Sequence, residues 1–489
     1  MATENFYPGT TYATDPSYGS FTGYRIPAGE IGTATDPRTA NQLKEISGKL
    51  NTGAQKIEMS AIQPNVFEAI PDKHLEEINR MAKLTGSETS VHAPMVEPSG
   101  YTKQGWSEAK REQNENQIWS AVERSHKVDD SGNVPVTFHP TYQLPAGVEK
   151  IKKNGEEKTK TVLAVDTLSG KPQQFNAERA FPGEENLDPE KIVEKEDERN
   201  WNRMINQINQ YAVRGRERVD HILERMESGG EGIDQETKNK LLKAYGSENR
   251  NDIIKDWKEQ GKISGKEKNF LNRAFRELDH SKIFLRDSYS QLRQVYNRVY
   301  EKAGPEQKKK LDRFKEEVKK EVQEGIEKDP ERLPEFAEVV EKGINTLSEI
   351  ERPRLLKPMN QFVIDQDSET FGNTAWKAYE KFGEKAPVIN IENPPASNAV
   401  RTADDIKNLI DKTRDKFVEK ARKEKGMSKK KAKKMAEKLI GATWDVGHIN
   451  MLRKYGYDKA DIAKETEKIA PYVKHVHLSD NFGQEHTEL

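Results

Sequence analysis

The sequence predicts an α/β protein whose parallel sheet is interrupted midway by a long, charged helical insertion. Three observations carry this reading. Short apolar segments alternate with helical segments over about 23–144 and again over about 366–489. Between them, over about 145–365, stretches rich in Lys, Glu, Arg and Gln replace the alternation. The apolar segments also end repeatedly in His, Glu or Asp.

Residues 1–22 are rich in Gly, Ser, Thr, Tyr and Pro without periodicity, which reads as an extended arm. A first strand is expected near Tyr24-Arg25-Ile26, a helix over about 38–51, and a second strand in Ala54-Gln55-Lys56-Ile57-Glu58-Met59. Leu75, Ile78, Met81 and Ala82 stand at helical spacing in a helix over about 71–84. Gly86 ends that helix, and Thr89-Ser90-Val91-His92 follows as the third strand. A polar helix over about 106–127 leads to the fourth, Val134-Pro135-Val136-Thr137-Phe138-His139.

In the insertion, a hairpin is expected over Thr161–Phe175, turning at Ser169-Gly170. Helices are expected near 190–228, 235–245, 266–302, 305–328 and 330–350. Their charge runs read as solvated faces, with a partner-binding surface as the functional alternative. The alternation resumes with a helix through Trp376 and Tyr379, then a fifth strand, Pro387-Val388-Ile389-Asn390-Ile391-Glu392-Asn393-Pro394. A basic helical stretch over about 403–438 leads to the sixth, Ala442-Thr443-Trp444-Asp445-Val446-Gly447-His448. Val473 to Asp480 is the seventh, and an eighth strand is not expected before Leu489.

Composition narrows the chemistry. Hydrophobic and charged residues each make up 33% of the 489 residues, so much of the length must be exposed helix surface around an ordinary core. With 81 basic and 82 acidic residues, global charge selects no nucleic acid, membrane or acidic partner. There is no cysteine, which excludes disulfides, thiolate nucleophiles and Cys-based zinc sites; any metal ligands must be His, Asp or Glu. No leader-like N-terminus and no apolar run of membrane length is present, the pattern expected of a soluble, cytoplasmic protein.

Side chains at the carboxyl ends of parallel strands converge on one face, so residues distant in sequence can share an ion. Here the strand ends carry His92, His139, Glu392, Asp445 with His448, and His477. A lone strand-end histidine is more often a hydrogen-bonded structural residue than a ligand. The chain has only ten histidines, however, and His92, His139, His448, His475 and His477 all fall at or beside expected strand ends. Such clustering points to a metal site, with His475 read either as supporting the ligands or as packed. Imidazole and carboxylate together suit zinc, manganese, iron or magnesium, and a carboxylate such as Glu392 can bridge two ions.

The segments SVHAP, TFHPT, INIENP, TWDVGH and YVKHVHLSDNFG resemble the successive strand-end motifs of the endonuclease IV and xylose isomerase-like superfamily. The resemblance covers about 23–144 and 365–489. It implies a TIM (β/α)8-type barrel, here lacking its eighth strand, that binds two or three divalent ions in its mouth, zinc first, with manganese or magnesium as alternatives. It assigns His92 and His139 to a first ion, Glu392 to the bridge, Asp445 and His477 to a second ion, and His448 and His486 to a third. Gln484 stands where the family has a carboxylate two residues before the last histidine, and the eighth-strand Glu of the family has no counterpart.

Three functions fit this frame. In an endonuclease-like hydrolase acting on abasic-site DNA, ions activate water and stabilise charge on the phosphate; the basic stretch Lys412–Lys438 reads first as a solvated outer face, with contact to the DNA backbone as the functional alternative. In a sugar or sugar-phosphate isomerase or epimerase, ions polarise the substrate while a carboxylate moves a proton, Glu392 being either a ligand or that base. A non-catalytic barrel would serve as a binding or scaffolding module through the insertion. The histidine-rich ligand set favours the hydrolase, with Glu392 as the catalytic carboxylate.

Overall fold

A computed structural model describes residues 27–479 apart from 143, 154, 168, 178–187, 228–235, 237–238, 241–243, 246, 248 and 324–331. The expected arm, Tyr24–Ile26, most of the helix near 235–245, and Asp480, Gln484 and His486 lie outside the described residues.

In chain order the strands are β1 (Thr33–Ala34), β2 (Lys56–Ser60), β3 (Glu88–His92), a small ribbon of β4 (Tyr101–Thr102) and β5 (Gly105–Trp106), and β6 (Pro135–Phe138). There follow β7 (Val148–Lys153), β8 (Glu156–Asp166) and β9 (Pro172–Asn176), then β10 (Leu356–Pro358), β11 (Val388–Glu392), β12 (Ile440–Asp445) and β13 (Val473–His477). Seven of them form one parallel sheet in the order β1-β2-β3-β6-β11-β12-β13. The first strand among the described residues is Thr33–Ala34, paired with Ile57 and Glu58 of β2.

This sheet is curled into a half-barrel. Thr137 on β6 and Thr443 on β12 share a hydrogen bond of 2.8 Å although β11 lies between their strands. Glu58 on β2 meets His475 and His477 on β13, five places further along the sheet. The sequence of each strand explains the two faces. Side chains alternate with period two. One set is apolar and buried: Ile57, Met59, Val91, Val136, Phe138, Ile389, Ile391, Ala442 and Trp444. It meets helices; Phe138 lies 5.8 Å from Phe371 in the helix Met359–Phe382, and Trp444 donates to Thr466 in the helix Lys459–Ile469. Burying each of the larger side chains contributes about 1.5–3 kcal/mol. The other set, on the concave face, is polar: Glu58, Ser90, His92, Thr137, Asn390, Glu392, Thr443, Asp445, His475 and His477.

The hairpin expected around Ser169-Gly170 is present as β8 and β9, antiparallel from Thr161↔Asn176 to Val165↔Pro172, and β7 and β10 extend it to four strands. The basic stretch is two helices, Ala403–Lys425 and Lys429–Leu439. Gly426, at φ 59°, ends the first in a left-handed conformation that glycine adopts without strain. His448 is not on a strand but in the short helix Val446–Asn450 that Asp445 caps.

The chain divides into two compact units. One runs to Val193 and resumes at Leu356; the other is Glu194–Leu355. The hairpin sheet thus belongs with the parallel sheet, and the separate unit starts later than the compositional change at 145. Val193 and Leu356, where the chain leaves and re-enters the first unit, are buried in one small cluster with Val162, Ala164, Ala177 and Ile192.

The second unit is helical. In the helix Gly265–Lys302, Leu271, Leu278, Leu285, Leu292 and Val299 recur every seven residues and are buried, as are Ala274, Ser281, Ser288 and Val295 three places on from the first four. This is the seam of a coiled-coil-like contact. It meets Gly215 on the helix Pro189–Glu227 and Gly343 on the helix Leu333–Ser348. Gly215 is required there, because a Cβ would stand 2.6 Å from Leu285 Cγ. No helix among the described residues is long and apolar enough to cross a membrane.

Candidate metal centre

His92, Glu392, Asp445 and His477 are the last residues of β3, β11, β12 and β13, and His139 follows β6 directly. The concave face brings them together. His92, His139 and Glu392 form one potential ligand group, Glu392, Asp445 and His448 a second, and Glu58, His475 and His477 a third. Glu392 is common to the first two. His477 is tied to it as well, with Nδ1 2.6 Å from Glu392 Oε1.

The tautomers follow from carbonyl partners, which can only accept. His92 Nδ1 donates to Ala93 O at 3.3 Å, and His448 Nδ1 donates to Asn393 O at 2.8 Å. Each neutral ring then presents its Nε2 lone pair away from that bond. For His92 this lone pair faces Glu392 Oε2 at 3.4 Å, and His139 Nε2 stands 3.0 Å from the same oxygen. Glu392 Oε2 is buried and has no hydrogen-bond partner among the described residues. Lone pairs facing a carboxylate oxygen at this range repel unless a proton or a cation lies between them. Tetrahedral zinc with ligand distances of about 2.0–2.1 Å separates its ligand atoms by roughly 3.3 Å. The group therefore fits a divalent ion in donor chemistry and in spacing.

Asp445 is held firmly. Asn393 pairs with its backbone in both directions, its Nδ2 donating to Asp445 O at 2.9 Å and its Oδ1 accepting from Asp445 N at 2.7 Å. Asp445 Oδ1 accepts from His448 N and from Ser479 Oγ, both at 2.7 Å. Asn393 thus orients two candidate ligands, Asp445 through its side chain and His448 through its carbonyl.

Electrostatics point the same way. Burial would raise the Glu392 carboxyl, but His139 and His477 beside it hold it well below the usual carboxylate range. Burial opposes charge on His477 too, yet Glu392 and Glu58 on its two nitrogens push it up to about 11. For His92, burial is likewise outweighed by Glu392 and Glu58, so its pKa is raised. Three carboxylates turned into a largely buried site create a field that stabilises positive charge, whether imidazolium or metal.

Glu58 is the residue that sequence reasoning passed over. Its Oε2 accepts from His475 Nε2 at 3.1 Å, from His477 Nε2 at 3.2 Å and from Ser90 Oγ at 3.2 Å. Burial would raise its carboxyl, but the two histidines bring it below the usual range. The available signal was its place in Lys-Ile-Glu-Met-Ser, on the polar side of an alternating strand whose apolar side faces helices.

The basic stretch lies at the other end of the strands. Lys438 Nζ donates to Glu384 O, just ahead of β11, and Lys474 Nζ at the start of β13 donates to Lys438 O. Lys412 and Lys416 pair with Asp365 and Glu369 at 2.6 and 2.7 Å. These lysines are engaged on the outer helical layer and at the amino ends, away from the ligands.

No protein-family model, curated protein or solved structure matches the chain. The reading of the site therefore rests on its geometry.

Proposed function

We propose that the chain is a divalent-metal-dependent hydrolase of the endonuclease IV and xylose isomerase-like type, acting on phosphodiester bonds at abasic sites in DNA. Its curled sheet is then most of a TIM (β/α)8 barrel. The observation that carries this reading is the buried Glu392 Oε2, faced by His92 and His139 and without a hydrogen-bond partner among the described residues. His92, His139 and Glu392 would hold one ion, and Glu392, Asp445 and His448 a neighbouring one. The nitrogen-rich set suits zinc better than magnesium, with manganese between them.

When bound, such ions stabilise charge developing on a phosphate and lower the pKa of water. The chain's own residues do the rest. Glu392, shared between two ligand groups, fixes their spacing. Asn393 locks Asp445 and His448, so the acceptor geometry exists before substrate arrives. Phosphate affinity would come from the mouth itself, because the Lys412–Lys438 stretch is turned away from it.

A sugar or sugar-phosphate isomerase is the second reading, favoured by one feature. Asn390 lies one step below Glu392 on the same strand face, is fully buried, and leaves both its side-chain nitrogen and oxygen without partners among the described residues. Together with Thr137 and Thr443 it lines a polar interior of the kind that hydrogen-bonds sugar hydroxyls.

The deciding experiment supplies the zinc- or manganese-loaded chain with duplex DNA containing one abasic site, and separately with aldose and ketose phosphates. Strand cleavage that disappears in His139→Ala supports the hydrolase. Sugar interconversion without cleavage transfers the proposal to the isomerase, and neither activity from a metal-loaded chain would overturn both.

A further inference from the structure

We infer that Glu58, His475 and His477 form a separate divalent-metal position at the rim of the site, with strand β2 supplying its carboxylate. The inference rests on the metal-centre reading above and extends it to residues that the resemblance does not include, Glu58 and His475.

The geometry comes first. His475 and His477 are two residues apart on one strand, so both side chains point to the concave face. Their rings lie 5.2 Å apart at 86° to each other, and both Nε2 atoms converge on Glu58 Oε2 at 3.1 and 3.2 Å. Two imidazole nitrogens and one carboxylate oxygen at this spacing make the His2Glu set of open zinc sites, which leave further positions for water or substrate. Convergence is across the mouth: β2 and β13 are near opposite ends of the sheet order, so the pair closes the concave face where the curl brings the two edges together.

His477 then has a specific job. Its Nδ1 faces Glu392 Oε1 at 2.6 Å while its Nε2 faces Glu58. A ring that donates Nδ1–H to a carboxylate presents Nε2 as a ligand, the carboxylate–histidine–metal arrangement that fixes ring orientation and raises ligand basicity. Glu392 would thus serve the inner position through Oε2 and the rim position through His477. The two positions differ in access. The Glu58, His475 and His477 side chains retain 13%, 25% and 17% exposure, against 10%, 9% and 1% for His92, His139 and Glu392. The rim ion would be the exchangeable one and the inner ions the retained ones.

A structural role competes with this assignment, since Ser90 and both histidines already satisfy Glu58 Oε2. The two are separated by titrating the metal-depleted full-length chain with Zn2+ by calorimetry and measuring bound zinc by elemental analysis. The wild type is compared with Glu58→Gln, His475→Ala and His92→Ala. The expected result is a tight and a weaker class of zinc in the wild type. Glu58→Gln and His475→Ala each weaken the weaker class roughly 100-fold or more and leave the tight class in place. His92→Ala does the converse. His475→Ala removes the partly exposed partner, so it carries the test if Glu58→Gln does not fold. Unchanged zinc in both rim variants overturns the inference and leaves the inner centre standing. Loss of all zinc together in the rim variants overturns a separate rim position. No zinc in the wild type overturns the inference and the metal-centre reading alike.

Discussion

In the unit Glu194–Leu355, charged side chains stand outside a heptad seam of Leu271, Leu278, Leu285 and Leu292; some pair along their own helices, as Lys309 does with Glu306 and Arg332 with Glu335, and others between helices, as Arg218 does with Glu277. At the carboxyl ends of the sheet the arrangement is reversed. Glu392, Asp445 and His448 are buried, while the apolar partners in the same strands face outward to helices. Exposed i,i+3 pairs of the first kind are worth a few tenths of a kcal/mol and need no ligand. Buried carboxylates that converge on imidazoles are costly without a compensating charge, which makes the second region the one where function is to be sought.

The comparison breaks most visibly at Glu392. Because it belongs to two ligand groups and contacts His477, Glu392→Gln should weaken zinc binding roughly 100-fold or more, beyond any single histidine substitution. Equal losses in His92→Ala and Glu392→Gln, measured by zinc titration, would contradict a shared role. In the helical unit the large effect is on stability instead. Leu285→Ala should cost about 2–5 kcal/mol in denaturant unfolding of that unit, with zinc content unchanged. A fall in zinc would show that the units are not separable in function. Replacing residues 194–355 by a short linker is feasible because Val193 and Leu356 share a cluster, and it should likewise preserve zinc binding.

A buried acid away from the ligands sharpens the argument. Asp367 is fully buried with both carboxyl oxygens unpartnered among the described residues, and burial, then the nearby Glu97, raises its pKa well above the usual value. Burial also pushes Glu97 up to about 7. A raised folded-state pKa means the folded chain holds the proton longer than the unfolded one. For these two groups the contribution to stability is therefore full at low pH and is lost as pH rises: for Glu97, between about 4.5 and about 7. Asp367→Asn should raise the melting temperature, by an amount corresponding to about 1–3 kcal/mol that grows with pH. A difference that is constant from pH 5 to 8 would show that Asp367 does not titrate in this way. The smallest effect belongs to the basic helices. Lys416→Ala, which breaks the pair with Glu369, should change stability by no more than about 1 kcal/mol. It should leave cleavage of abasic-site DNA unaltered; a marked loss of cleavage would place that face on the DNA.

Much of this was legible in the sequence, and the gaps have physical reasons. Strands ending in His92, Glu392 and Asp445 stood out because a buried parallel strand is an apolar run that stops abruptly at its functional end. Glu58 did not, since an alternating strand looks the same whether its polar side meets solvent or lines a polar interior. The sequence around His448 reads as a strand because Asp445-Val-Gly-His continues an apolar run; the Asp445 cap turns it into a helix. The break at Gly426 was hidden in a run of lysines on both sides. The seven-residue repeat from Leu271 to Val299 was masked by surrounding charge. The resemblance groups His92, His139 and Glu392 together, as the sheet does, but it pairs Asp445 with His477; how far the sheet curls sets Asp445 beside His448 and His477 beside Glu58 instead.

The most direct test of the account is the metal content of the purified full-length chain after equilibration with zinc and removal of loosely held ions, alongside Glu392→Gln. Zinc retained by the wild type and lost from the variant is the result predicted. A folded wild-type chain that retains none would contradict the claim that these carboxylates and histidines are assembled around metal.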